Sequence, residues 1–139
     1  MIRRALGMSA LFVLVSIAGG RAQEPDTKAA RAAVDSWLSL IDAADYAKSW
    51  DESATSFKNA ITSEKWQAAV KTRRGTLGTL KSRTVKSATP ATNPPGAPEG
   101  EYVAFDFDAI FEHKPAAAER VTVIRDKDGA WRVVGYFVK

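Results

Sequence analysis

Between Glu101 and Phe111 the sequence alternates with a period of two. Val103, Phe105, Phe107, Ala109 and Phe111 fall on one side, and Tyr102, Asp106 and Asp108 on the other. Successive strand residues point to opposite faces, so this segment reads as a strand with one buried and one wetted face. Such a strand needs partners in a sheet and a layer over its aromatic side, and the rest of the chain offers both. Leu80 to Thr89, rich in Thr, Ser and Val, reads as a neighbouring strand, followed by a loop from Pro90 to Gly100 that its prolines and glycines enforce. Glu119 to Arg125 and Ala130 to Val138 flank Asp126-Lys127-Asp128-Gly129, a turn that joins them as a hairpin. Trp131, Val133, Gly135 and Phe137 are expected on one face of the last strand, beside Val121 and Val123.

The covering layer comes from the N-terminal half. Ala30, Val34, Trp37, Leu38 and Ile41 recur at spacings of three and four, which predicts an amphipathic helix from Asp26 to about Asp42, with Asp26 as its N-cap. Tyr46, Trp50, Ala54 and Phe57 continue at helical spacing, as a second helix or a bent continuation. A third helix is expected from Thr62 or Ser63, with Ile61 and Trp66 placed for a hydrophobic staple, and Gly75 and Gly78 at its end. Helices followed by antiparallel strands predict an α+β fold, with N-terminal helices packed on a curved, mainly antiparallel four-stranded sheet. A cystatin-like sheet, or a cone in the manner of nuclear transport factor 2, satisfies this order. A parallel α/β fold does not, because the last two strands lie too close together for a crossover.

Residues 1–22 are read separately. Arg3 and Arg4 precede an apolar run from Met8 to Ala18, and small residues end at Ala22, which is the layout of a secretory signal peptide. The run is shorter than the ~20 residues a spanning helix needs. The expected organisation is therefore a leader, residues 1–22, and one α+β domain, residues 23–139, delivered to the periplasm or the extracellular space without a stable membrane span. The chain has no cysteine, which excludes thiol catalysis, thiolate metal sites and dithiol redox chemistry. Its net charge of +4 includes Arg3, Arg4 and Arg21, so it falls to +1 once the leader is removed and nominates no class of partner.

Charge distribution says more than its total. Lys65, Lys71, Arg73, Arg74, Lys81, Arg83 and Lys86 form a stretch without an acidic residue, suited either to an anionic ligand or to pairing with the acidic remainder. Arg73, Arg74 and Arg83 are its candidate ligand-binding residues. Trp37, Tyr46 and Trp50 are candidates for an aromatic pocket, although helix packing uses the same residues. Asp106 and Asp108 point the same way from one strand and would serve as a carboxylate base if a curled sheet placed them on a pocket wall; otherwise they meet solvent. His113 is the one histidine and cannot form a multi-histidine metal site, and Asp126 and Asp128 lack the later ligands of a calcium loop. No metal site and no cofactor are expected.

A family resemblance rests on fragments spread along the chain. They include Trp37-Leu38-Ser39-Leu40-Ile41-Asp42, Asp45-Tyr46-Ala47-Lys48-Ser49-Trp50, Ser56-Phe57-Lys58, Trp66, Arg73-Arg74, Leu77-Gly78 and Ser82-Arg83. They continue through Gly96-Ala97-Pro98-Glu99-Gly100-Glu101-Tyr102, Phe111, Asp128-Gly129 and Trp131 to Phe137. In these the chain resembles the bacterial secreted family called domain of unknown function 4019. The resemblance implies a leader followed by one small domain, and it brings no reaction with it. The expected function is that of an exported binding or protein-interaction domain. Its partner would be an envelope protein, a small or anionic ligand, or a second copy in a homodimer, and no nucleic acid is expected. The alternative is a small hydrolase or isomerase using Asp106 or Asp108 in a cone-shaped pocket.

Overall fold

A computed structural model describes residues 27–139. The expected leader and the Asp26 cap lie outside the described residues. Four helices, α1 (Thr27–Asp42), α2 (Tyr46–Asp51), α3 (Thr55–Ala60) and α4 (Ser63–Leu77), precede four strands, β1 (Leu80–Thr92), β2 (Glu101–Phe111), β3 (Lys114–Arg125) and β4 (Trp131–Val138). The strands form one antiparallel meander in the order β1-β2-β3-β4. Among the described residues, no helix is long and apolar enough to cross a membrane.

The helices begin and end where local chemistry dictates. α1 buries Ala30, Val34, Trp37, Leu38 and Ile41, the stripe its spacing predicts. It stops in a turn where the amide of Asp45 donates to the carbonyl of Leu40 and that of Ala44 to Ile41. This is the Schellman pattern, with Ala44 at φ 60° in the left-handed position glycine usually takes. The second helical stretch is two short helices, with Asp45 accepting from the amide of Lys48 at the head of α2. Thr62 caps α4 by accepting from the amide of Lys65, and Ile61 and Trp66 share one core cluster, as the staple requires. α4 runs through Gly75 and ends at Leu77, where Gly78 has φ 78°. A Cβ at Gly78 would sit 2.8 Å from His113 Cδ2 and 2.9 Å from Glu112 Cβ, so the β2–β3 turn packs on bare backbone.

β2 occupies the predicted range and buries Val103, Phe105, Phe107, Ala109 and Phe111 against α1 and α4. β1 extends past its expected end to Thr92. Pro90 is tolerated there because β1 is an edge strand with no ladder partner on its outer side. The loop closes when Asn93 donates its amide to the carbonyl of Gly100 and accepts the amide of Gly100 on Oδ1, while the Tyr102 hydroxyl donates to the carbonyl of Pro98.

Two expectations about the sheet are corrected. The sheet neither closes nor curls strongly, so the cystatin-like or nuclear-transport-factor-2-like cone is not formed. β1 and β4 remain separate edges, four strands being too few to close with a barrel's tilt and stagger. The space a cone would enclose is filled by Trp37, Trp66, Phe105 and Phe107 in one core. The second correction concerns β4. A register shift between Thr122 and Val123 breaks its alternation, so Val133, Tyr136 and Val138 turn inward while Phe137, expected beside Val133, points outward with 61% exposure.

Candidate functional site

The aromatic candidates fill the interior. Trp37 donates its indole N–H to the carbonyl of Ser49 at 3.0 Å and to Ser53 Oγ at 3.1 Å, and Trp66 donates to Ser49 Oγ at 3.0 Å. Ser49 and Ser53 are fully buried, so these small hydroxyl residues satisfy two indoles that would otherwise be stranded in the core. Trp50 donates to the carbonyl of Ile61, which ties α2 to the head of α4. Tyr46 is half-buried, packed against the same cluster. Trp37, Tyr46 and Trp50 therefore hold helices together and do not enclose a common cavity.

Of the basic candidates, the structure brings Arg74 and Arg83 together. Asp42, the last residue of α1, accepts from Arg74 at 2.9 Å and from two Arg83 nitrogens at 2.8 and 3.0 Å. Arg83 also reaches Glu119 of β3, with Nε to Oε1 at 2.5 Å and Nη2 to Oε2 at 3.2 Å. Glu119 is 1% exposed and takes a further hydrogen bond from the Tyr136 hydroxyl. Arg74, itself 8% exposed, lies over the Phe111 ring with its guanidinium 5.0 Å from the centroid. Burial acts to raise the Asp42 pKa, but the hydrogen bonds and charges of Arg83 and Arg74 outweigh it and hold the carboxyl below its ordinary 3.8. Burial likewise opposes the charge on Arg83, and its bonds to Asp42 and Glu119 prevail, so its pKa rises. Tyr136 is pushed upward, first by burial and then by the neighbouring Glu119.

Two cations and two anions thus neutralise one another across α1, α4, β1 and β3, with β4 joined through Tyr136. Arg74 and Arg83 are thereby removed from the basic stretch. Arg73 stands apart, donating to the carbonyl of Val138 at 2.9 Å. Glu119 is not among the candidates the sequence offers, although it carries a signal: it is in phase with Val121 and Val123, an acidic side chain at a core position. Asp42 and Tyr136 carried no comparable mark. A mixed-charge cleft of about 530 Å³ opens beside this network, lined among others by Asp42, Tyr46, Lys71, Arg74, Thr79 and Glu112.

Asp106 and Asp108 lie on the opposite side of the sheet, in its helix-free part, away from the end where Tyr102 and Ile124 pack with Ala54, Val134 and Phe57 of α3. Asp106 binds Arg120 through two hydrogen bonds of 2.7 and 3.0 Å and accepts from Ser87 at 3.2 Å. The Arg120 hydrogen bond is the main reason its carboxyl lies below the ordinary range. Asp108 is exposed between Thr84 and Ala118 in the register. With the cone absent, Asp108 lines an open cleft of about 420 Å³ with Thr84, Ile110 and Ala118, and Asp106 lies beside it in its pair with Arg120. His113 is an exposed turn residue, and Asp126 and Asp128 bind Arg132 and the hairpin backbone. Among the described residues, no group of three or more His, Cys, Asp or Glu is placed to hold a metal ion.

Both sheet edges are guarded. The β4 edge is capped by the amide of Ala54 on the carbonyl of Val133 and by Arg73 on that of Val138. β1 carries Lys81, Lys86, Pro90 and two register shifts, devices that discourage strand addition. The helix-free face is different. Phe137 is 61% exposed and Ile110 44% exposed, on a platform of Thr84, Ser87, Ala104, Ala118, Thr122 and Gly135 around the Asp106–Arg120 pair.

The family model described as "Protein of unknown function (DUF4019)" matches residues 33–136. No curated protein matches the chain.

Proposed function

Since the chain belongs to the DUF4019 family of proteins of unknown function, we propose that it is an exported, non-catalytic interaction domain that recognises a partner protein through the helix-free face of its sheet. The observation that carries this reading is the outward placement of Phe137, the most exposed large apolar side chain among the described residues, on a four-stranded platform. A large apolar ring held in water by a rigid strand gains free energy when a partner covers it. The opposite face is consumed by the core, Arg74 and Arg83 by internal ion pairs, Arg73 by the carbonyl of Val138, and both edges are guarded. Export rests on the basic, apolar and small-residue layout of residues 1–22, with residues 23–139 as the delivered domain, in the periplasm or outside the cell.

The reading is tested by placing a photoreactive phenylalanine analogue at Thr122 on the helix-free face, and separately at Ala32 on the outer side of α1, in the full chain expressed in its own cell. Irradiation is expected to yield covalent protein adducts from position 122 and none from position 32. No adduct from position 122 refutes the reading.

A further inference from the structure

We infer that the partner of the helix-free face is a second copy of the same chain, joined face to face about a two-fold axis that runs along the strands between β2 and β3. The inference rests on the reading of that face as a recognition surface and adds the identity of what covers it. An isologous interface must be complementary to itself, so any charge it carries has to meet the opposite charge from the same patch. This face provides Asp106 and Asp108 against Arg120 and Lys86, whose charge acts on Asp106. A partner of uniform charge would find no such match.

The register shows how the copies fit. One cross-strand row reads Ser87, Asp106, Arg120, Phe137 from β1 to β4. A two-fold axis along the strands between β2 and β3 inverts that row. Arg120 then stands over Asp106 of the second copy, and Phe137 over the small Ser87 of the second copy. The next row reads Thr89, Ala104, Thr122, Gly135. Inverted, it sets Thr122 over Ala104 and Gly135 over Thr89 of the second copy, small against small, as two sheets about 10 Å apart require. At strand spacings of about 4.8 Å and a rise of about 3.3 Å per residue, the two faces together bury on the order of 1,000 Å². That is the low end for a specific interface, so the expected dimer dissociates in the micromolar range.

The test is sedimentation velocity of the purified protein from about 1 to 300 μM, spanning the affinity expected of an interface this small. A reversible monomer–dimer equilibrium is expected. Asp106→Arg and Arg120→Asp each lower the association constant about tenfold or more, Phe137→Asp does the same, and the double exchange Asp106→Arg with Arg120→Asp restores it. Circular dichroism of each variant confirms an unchanged fold, and the double exchange keeps the test valid if a single variant is destabilised. A monomer throughout this range overturns the dimer, as does a dimer indifferent to all three single variants. Photoadducts from position 122 separate this inference from the reading beneath it. Adducts of twice the chain mass support both, adducts with another protein overturn the dimer and leave the interaction face standing, and no adducts together with a monomer overturn both.

Discussion

Replacing Glu119 with Leu tests whether the buried ion cluster holds the helices to the sheet. The substitution keeps approximate volume but removes the acceptor of two Arg83 bonds and of the Tyr136 hydroxyl at a residue that is 1% exposed. Arg83 retains Asp42, whose oxygens already serve Arg74 as well. Breaking a buried pair by removing one partner costs about 3–5 kcal/mol, because the remaining charge stays desolvated. At roughly 4 °C per kcal/mol for a domain near this size, Tm falls by about 12–20 °C. Urea unfolding at pH 7, followed by tryptophan fluorescence, measures the same loss. Tyr136→Phe removes one donor without stranding a charge and is expected to cost only about 1 kcal/mol. Arg83→Met on the Glu119→Leu background is expected to add less than it does alone, since the stranded cation goes with it. A Glu119→Leu protein that loses less than about 1 kcal/mol, or a strictly additive double variant, refutes the reasoning.

Four further outcomes follow from the same structure. Ala44→Gly is expected to stabilise the protein by about 1 kcal/mol, because alanine at φ 60° carries a steric cost that glycine avoids; thermal unfolding reads the change. Gly78→Ala is expected to cost about 2 kcal/mol or more, since it combines positive φ with a 2.8 Å approach to His113, and denaturant unfolding measures it. Asp42 has a folded pKa below its ordinary 3.8, so its contribution is present above that pH and lost as pH falls through the folded value; Asp42→Asn should flatten the acid limb of a stability–pH profile. Tyr136 has a folded pKa above its ordinary 10.0, so its contribution is present below pH 10 and lost as pH rises further, an alkaline limb that Tyr136→Phe should weaken.

The layers were legible in the sequence because they depend on periodicity alone. The apolar stripe of α1 and the alternation of β2 each report on one element and its buried face. Sheet curvature does not, since it is set by how many strands join and what fills the concave side, and here Trp37 and Phe107 occupy the space a cone would enclose. Phe137 was misplaced for a related reason: a single register shift against β3 reverses its side, and no periodic count within β4 detects a shift defined by its partner. The basic stretch was visible, but the neutralisation of Arg74 and Arg83 depends on Asp42, 32 and 41 residues away respectively in the chain.

The fragments by which this chain resembles its family are largely accounted for by internal structure. Ser49 receives the Trp66 indole and gives its carbonyl to Trp37, Asp42 gathers Arg74 and Arg83, Gly78 admits the β2–β3 turn, and Tyr102 closes the proline loop on Pro98. Each of these contacts fixes a helix, turn or loop in place, and all but the local Tyr102–Pro98 bond join separate elements of the chain. A fingerprint built from such residues identifies the fold and is blind to what the fold contacts. The informative residues for function are those with no internal partner to explain them, and Phe137 is the clearest. Its neighbours on β4, Tyr136 and Val138, are both drawn inward, so the strand that exposes the ring is anchored on either side of it. Rigid presentation of an apolar group avoids an ordering cost on binding, which is why even an interface of modest area gains useful affinity from it.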